Sequence, residues 1–228
     1  FAEDLVPRVL MDYATLTEAD AIAAPEGADV DRDGDADSAG VVTSGDRQTV
    51  LVMQESACRS IWSYAVDRKG ASEPWLTGQI CEDLETIGLK SERIICKTDQ
   101  ESSAVDVSRD VARLRAGQYG TAIDNSAVGD SDSNGAIERA IQDVEGQCRT
   151  LRSALSTRLQ RDVRLKHPCV PWLIRHAGYL LTRCRVRPSG RTAFQMLKGR
   201  RSNGALAEFG ETVHFLIPKT KDTPGKFE

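Results

Sequence analysis

Alternating apolar and polar residues, together with β-branched and aromatic side chains, predict five β-strands along the chain. Three of them come first, at Val6–Leu16, Thr49–Glu55 and Ser60–Asp67. The link between the second and the third is only a few residues long, which favours a hairpin. Two shorter runs, Arg93–Asp99 and Thr121–Asp124, predict the remaining strands. The first three strands are therefore expected to be consecutive and antiparallel.

Apolar residues spaced three and four apart predict helices between and after the later strands. The first helix has Ser72 as its expected N-cap, Pro74 in its first turn and Gly88 as its stop. The second helix ends before Gly117 and has an apolar face made of Ala104, Val107, Val111 and Leu114. This order of elements predicts an α/β fold in which helices pack on a mixed five-stranded sheet.

The longest predicted helix follows a loop of small and polar residues, Ser126–Gly135, which is expected to be mobile. Beyond it, the sequence predicts a further helix at Pro168–Val186, with Trp172 packed in the core, and a terminal strand at Gly210–Thr220. The chain thus divides into a core of residues 1–160 and a basic extension of residues 161–228 that contains helix and strand. The apolar stripe of the longest helix consists of Ile137, Ile141, Val144, Cys148, Leu151 and Leu155.

Charge is distributed unevenly along the chain. Residues 1–48 carry 12 acids and 3 bases, whereas residues 149–201 carry 14 Lys and Arg and one acid, Asp162. Arginine dominates the basic segment, which favours bidentate contacts with phosphate groups. A basic segment in a chain of net charge −4 is typical of a surface that faces nucleic acid or a membrane, with a solvated helix face as the alternative.

Residues 17–47 are expected to form an acidic, disordered insertion between the first two strands. Within it, the run Asp29–Gly40 has an acid at alternate positions and Gly34 where an EF-hand loop turns. The closing bidentate Glu of that motif is replaced by Gly40, and the flanking segments lack helical periodicity. The run therefore favours an acidic insertion over a calcium site.

The cysteines and histidines favour neither a disulfide framework nor a zinc site. Six cysteines are spread widely without a CxxC pair, which predicts reduced and mostly buried thiols. His167 and Cys169 are close in sequence, but the three histidines are too few and too scattered to indicate zinc. The sequence shows no apolar run long enough to span a membrane and no export signal. The start at Phe1, without Met, predicts a piece of a longer protein.

Three acids occupy positions where an active site can gather ligands from distant parts of the sequence. Asp12 lies inside the first strand, Asp99 ends the fourth, and Glu138 stands in the first turn of the long helix. Converging carboxylates repel one another unless cations lie between them. Mg²⁺ prefers oxygen ligands, and two such ions about 3.5–4 Å apart support in-line phosphoryl transfer. For Glu138, an ordinary acid favoured by the helix dipole is the alternative.

Four segments, taken in order, resemble the catalytic core of integrases from retroviruses and LTR retrotransposons. They are VLMDYATL, TVLVMQESACRSIWSYAV, IICKTDQESS and DSDSNGAIERAIQDVEGQCRTL. The element NGAIERA is similar to the Asn-Gly-x-x-Glu-Arg element of Copia-type integrases. RTAFQMLKGRR and FGETVHFLIPKT are similar to segments that follow the core in those polyproteins. The resemblance covers nearly the whole chain apart from the acidic insertion, and its weight lies in the shared order of short motifs.

The resemblance implies an RNase H-like fold with Asp12, Asp99 and Glu138 as the catalytic triad and the metal ligands. It implies Mg²⁺ or Mn²⁺ as the cofactor, with two ions bound. The implied activity is trimming of element DNA ends by water, followed by attack of the freed 3′-hydroxyl on target DNA.

The resemblance also implies contacts with DNA and with further copies of the chain. Asn134 is expected in a mobile active-site loop near the DNA, and Arg139, Arg149 and Arg152 are expected to contact phosphates. A homo-oligomer, no membrane association and a nuclear site of action follow from the family, which also allows a cytoplasmic particle stage. In one departure, Gln142 stands where family members often carry a lysine one turn after the triad glutamate.

Two other interpretations use the same sequence features. A nuclease of the ribonuclease H kind would share the fold and the metals, but it normally needs a fourth acid, and the sequence offers no clear candidate. A catalytically inactive, element-derived DNA-binding or assembly protein would keep the fold without turnover.

Overall fold

A computed structural model of the chain describes residues 6–18, 47–115, 120–125, 131–204 and 206–214. The strands in these residues are β1 (Arg8–Thr17), β2 (Arg47–Glu55), β3 (Ile61–Val66), β4 (Ile94–Thr98) and β5 (Thr121–Asn125). The helices are α1 (Pro74–Thr86), α2 (Ser102–Leu114), α3 (Ser131–Leu159), α4 (Val170–Cys184) and α5 (Ala193–Lys198).

The strands form one sheet in the order β3-β2-β1-β4-β5. β1, β2 and β3 pair antiparallel, as the hairpin pattern predicts, whereas β4 is parallel to β1 and β5 is parallel to β4. The mixed five-stranded sheet flanked by helices confirms the predicted fold class.

The two faces of the sheet pack against different helices. Side chains alternate along β1, so that Leu10 and Leu16 join one hydrophobic cluster while Val9 and Met11 join the other. The first cluster includes residues of α3 and α4, and its side of the sheet is called the α3 face below; the second includes residues of α1 and α2. The predicted stripe of α3 is confirmed, with Ile137, Val144, Cys148 and Leu155 buried and Ile141 and Leu151 packed against them.

Two helix starts differ from the prediction. The N-cap of α1 is Glu73 rather than Ser72, and the Glu73 carboxylate accepts hydrogen bonds from the N–H groups of Asp67 and Arg68 instead of capping the helix. α3 begins at Ser131, so residues 131–135 are helical although they were predicted to be loop. Ser and Asp are favoured at a helix N-terminus, and this preference outweighs the loop-forming composition of the segment. Residues 126–130 lie outside the described residues.

The region after α3 also departs from the prediction in several places. Trp172 is 74% exposed, because α4 buries its opposite side through Leu173, Ile174 and Ala177. Leu114, predicted to be on the buried face of α2, is exposed in the last turn of that helix. Residues 211–214 form no strand, and the rest of the predicted terminal strand lies outside the described residues.

The predicted boundaries of the insertion and of the extension are only partly visible. Thr17 and Arg47 pair with each other in β1 and β2, so these two end residues belong to the sheet. Residues 19–46, including the run Asp29–Gly40, lie outside the described residues. α4 packs in the same hydrophobic cluster as β2 and α3, and the division near residue 160 stays a prediction.

A close approach between α4 and β3 gives a first prediction, on stability. A Cβ at Gly178 would lie 2.9 Å from Ser63 Oγ and 3.1 Å from both Ser63 N and Trp62 Cα. Since two of these atoms belong to the backbone of a strand, the helix must move away. Gly178→Ala is expected to lower the free energy of unfolding by about 1–3 kcal/mol.

Gly78 in α1 provides the matched control, because a Cβ there would meet no atom within 4 Å. Gly78→Ala is expected to raise the free energy of unfolding by up to about 1 kcal/mol, the helix-propensity difference. Urea unfolding of both variants measures the contrast. Equal effects of the two substitutions would contradict the tight α4–β3 packing.

Candidate active site

Asp12, on the α3 face of the sheet, lies close to Asp99 at the end of the neighbouring strand β4. The parallel strands β1 and β4 pair residue by residue up to Met11 and Thr98, so the two acids that follow are level with each other. By alternation, Asp12 has the orientation of Leu10. Asp99 is the first residue after β4, and its charge is close enough to Asp12 to raise the pKa of that carboxyl. The structure therefore brings these two predicted residues together.

The electrostatic environment of Asp12 disfavours its negative charge. Its carboxyl is half-buried, and burial is the main reason why the pKa of Asp12 is raised. A hydrogen bond of 2.7 Å from the Tyr13 N–H opposes the shift, whereas the negative charges of Asp99 and Glu101 add to it. Two neighbouring carboxylates of this kind are stabilised by a cation between them.

A second pair of charges lies beside the two acids, and sequence reasoning did not single it out. Lys69 Nζ donates to both oxygens of Glu101, at 2.8 and 3.0 Å, and lies 5.3 Å from the centre of the Tyr13 ring. Burial raises the pKa of Glu101, but the hydrogen bonds from Lys69 and Ser103 outweigh burial, and the pKa is lowered overall. The signal in the sequence was the position of Glu101 two residues after Asp99; its pairing with Lys69 depends on the fold.

Glu138 does not join the two aspartates in this structure. It is exposed on α3, between the buried Ile137 and Ala140, and α3 packs on the same face of the sheet. Within the described ranges, no group of three Asp, Glu, His or Cys side chains could hold a metal ion. The start of α3 follows residues 126–130, which the structure does not describe. The role of Glu138 as third ligand stays a prediction.

The predicted DNA contacts fall into different environments. Asn134 is in the first turns of α3 rather than in a loop, Arg139 is exposed and Arg149 is half-buried. Arg152 is 7% exposed, and its guanidinium binds Glu18 at 2.6 Å and Asp162 at 3.3 Å. These partners argue against the expected phosphate contact of Arg152, which stays a prediction.

Other predicted features of the chain are in part confirmed. Cys58, Cys96 and Cys148 are buried, whereas Cys184 is exposed. His167 Nδ1 lies 3.0 Å from Cys169 Sγ, as their closeness in sequence allows. None of the helices in the described part of the chain has the length and apolar character needed to cross a bilayer.

Comparisons with known proteins identify the fold. No protein-family model matches the chain, and no curated protein matches it in sequence. A chain of the simian T-cell lymphotropic virus intasome superposes with a TM-score of 0.53 at 12% identity, over 94% of this chain and 62% of that chain.

Two solved catalytic cores are similar at a lower level. The HTLV-2 integrase catalytic core domain in complex with magnesium has a TM-score of 0.49 at 12% identity, over 85% of this chain and 98% of that chain. The catalytic core domain of BIV integrase has a TM-score of 0.48 at 11% identity, over 84% and 93%. At such identities a structural likeness describes the fold alone. The chain has an RNase H-like fold, similar to that of the retroviral intasome chain.

Proposed function

We propose that this chain is the catalytic core of a metal-dependent polynucleotidyl transferase that processes the 3′ ends of element DNA and joins them to target DNA. The observation that carries the proposal is the Asp12–Asp99 pair, level on parallel strands of an integrase-type fold. The raised pKa of Asp12, caused by burial and by neighbouring negative charge, supports the proposal that this site binds a cation.

The donor set of this pair fits Mg²⁺ or Mn²⁺, which prefer carboxylate oxygens. Asp12 and Asp99 would hold the metal, with Glu138 as the proposed third ligand. Divalent ions bound there would activate the attacking oxygen and stabilise the leaving oxygen of an in-line displacement.

The chain itself fixes the orientation of the two carboxylates. The Tyr13 N–H donates to Asp12 Oδ1, and the Gln100 N–H donates to Asp99 Oδ1, each at 2.7 Å. One oxygen of each side chain is therefore held by the backbone, so that less conformational freedom remains to be lost when substrate binds. Tyr13 itself is held at the opposite face by a hydrogen bond of 2.9 Å from the Gly70 N–H to its hydroxyl.

The proposed partners are element DNA ends, target DNA and further copies of the chain. The basic segment 149–201 supports DNA binding, and the NGAIERA element supports an origin in a Copia-type retrotransposon. Exposed aromatic side chains on α4, Trp172 at 74% and Tyr179 at 40%, support a homo-oligomer. Since the proposed substrate is chromosomal DNA, the proposed site of action is the nucleus.

A ribonuclease H-type nuclease is the second candidate, and Glu101 favours it. This acid is close enough to Asp12 to influence its pKa and could serve as the fourth carboxylate of such an enzyme. Its ion pair with Lys69 argues for a structural role instead, because the charge of Glu101 is already compensated.

The test is an assay of the 228-residue chain on linear DNA with a plasmid target and, separately, on an RNA–DNA hybrid. We expect DNA cleavage and end joining in Mg²⁺ or Mn²⁺, with complete loss in EDTA, because the chemistry depends on the metal. Preferential cutting of RNA in the hybrid would favour the second candidate. Salt-sensitive DNA binding without any metal-dependent cleavage would identify an inactive DNA-binding protein.

A further inference from the structure

A cavity of about 380 Å³ lies beside α3 and is lined by four arginines, Arg59, Arg139, Arg185 and Arg187. This arginine pocket is formed by the turn after β2, by α3 and by the segment after α4. Its volume falls within the range of small-ligand sites, about 300–1,000 Å³.

The walls of the arginine pocket are held in place by hydrogen bonds. In the turn after β2, the buried Glu55 carboxylate accepts the N–H groups of Ala57 and Cys58 at 2.8 and 2.7 Å, which supports Arg59 at a φ of 57°. The Arg187 guanidinium donates to the Arg59 carbonyl oxygen at 2.7 Å. The turn and the segment after α4 are therefore joined to each other.

The charges within the arginine pocket are only partly compensated. Arg185 forms an ion pair with Asp143, one turn after Arg139 on α3. The pKa of Arg187 is lowered, first by burial and then by the positive charge of Arg185, with Arg59 adding to it. Arg187 Nε is buried without a hydrogen-bond partner among the described residues. Four cations facing one cavity are stabilised when an anion enters.

Phosphate is the anion that this arrangement fits best. Guanidinium groups form bidentate, charge-assisted hydrogen bonds with phosphate oxygens, and several of them together can surround one group. Arg139 directly follows Glu138 on α3, so the arginine pocket includes the residue next to the proposed third metal ligand.

We propose that the arginine pocket binds a backbone phosphate of the DNA strand that enters the active site. This inference rests on the proposed function for the identity of the strand, whereas phosphate recognition itself rests on the pocket. Arg59 and Arg139 are the exposed members and supply contacts that can be removed without disturbing the fold.

The test is DNA affinity as a function of salt, measured by fluorescence anisotropy with a short duplex. We expect the Arg59→Gln/Arg139→Gln double variant to have a shallower dependence of log K on log salt, by up to about 0.9, the contribution of one phosphate. Between about 50 and 200 mM salt, the parent would then lose up to about 3.5-fold more affinity than the variant. The matched control is Arg109→Gln/Arg113→Gln, two exposed arginines on α2, which packs on the other face of the sheet.

The control variant is expected to keep the salt dependence of the parent. Equal slopes for the parent and the Arg59/Arg139 variant, or an equal change in the control, would overturn the proposal. Calorimetric titration with inorganic pyrophosphate tests phosphate binding by the arginine pocket independently of the proposed DNA function. If the parent binds pyrophosphate and the Arg59/Arg139 variant does not, the phosphate site stands even when the parent binds no DNA. That combination of results would overturn the proposed DNA function alone. Absence of both kinds of binding would overturn both.

Discussion

An Asp12→Asn protein is expected to lose metal-dependent DNA cleavage and joining by at least about a thousand-fold, a barrier increase of about 4 kcal/mol. The amide carries no charge to hold a divalent cation, although it can still accept the hydrogen bond from the Tyr13 N–H. Asp99→Asn is expected to have the same effect, since its charge is close enough to Asp12 to raise the pKa of that carboxyl. Nicking of supercoiled plasmid in Mn²⁺ measures both variants.

Asp106→Asn on α2 is the matched control for this loss. Its side chain is 54% exposed and α2 packs on the opposite face of the sheet, so the variant is expected to cleave DNA as the parent does. An Asp99→Asn protein that joined DNA ends as well as the parent would refute the proposed site.

Unfolding will not explain the loss of activity in the Asp12→Asn protein. Because burial and Asp99 raise the pKa of Asp12, the folded protein holds that proton more tightly than the unfolded chain does. The stability from this group is present below the ordinary aspartate pKa and is lost as the pH rises through the folded pKa. Asn does not ionise, so at neutral pH the variant is expected to be at least as stable as the parent. Urea unfolding at neutral and acidic pH should show this difference closing in acid.

Replacing Arg152 by alanine is expected to lower the free energy of unfolding by about 3 kcal/mol, the cost of removing one partner of a buried ion pair. The Arg152 side chain is 9% exposed, and its partner Glu18, at 28%, also accepts the Leu165 N–H at 2.8 Å. Arg152 also donates through Nε to the Val163 carbonyl oxygen. The interaction with Asp162 adds little, because that side chain is 69% exposed. Arg152 thus ties the end of β1 to α3 and to the segment that follows it.

The control for Arg152→Ala is Arg139→Ala on the exposed side of the same helix, expected to change stability by no more than about 0.5 kcal/mol. Urea unfolding measures stability, and anisotropy measures DNA binding. Arg152→Ala should lower the free energy of unfolding, whereas Arg139→Ala should reduce the salt dependence of DNA binding. An Arg152→Ala protein of unchanged stability, with weakened DNA binding, would restore Arg152 as a phosphate contact.

The sequence predicted those features that depend on neighbours in the chain. The strand around Asp12 and the helix α3 each bury one face, and burial of one face produces a periodic pattern of apolar residues that is visible in the sequence. Asp12 and Asp99 stood out because an acid within or at the end of an apolar strand is costly unless it has a partner.

Features that depend on tertiary contacts could not be predicted in this way. Arg152 forms an ion pair with Glu18, which follows β1 and is far from Arg152 in the sequence, so the pattern around Arg152 could not predict this partner. Trp172 has the hydrophobicity of a core residue, but it does not lie on the side of α4 that is buried against the sheet. The arginine pocket likewise combines three separate elements, and only Arg139 among its arginines was singled out from the sequence.

We propose that Asp12 and Asp99 form the metal-binding centre of a DNA strand transferase. The most direct measurement is anomalous scattering from crystals of the chain grown with Mn²⁺ at a concentration that supports DNA cleavage. We expect manganese between the carboxylates of Asp12 and Asp99, with Glu138 moved within coordination distance. DNA cleavage under the same conditions with no manganese at either aspartate would contradict it.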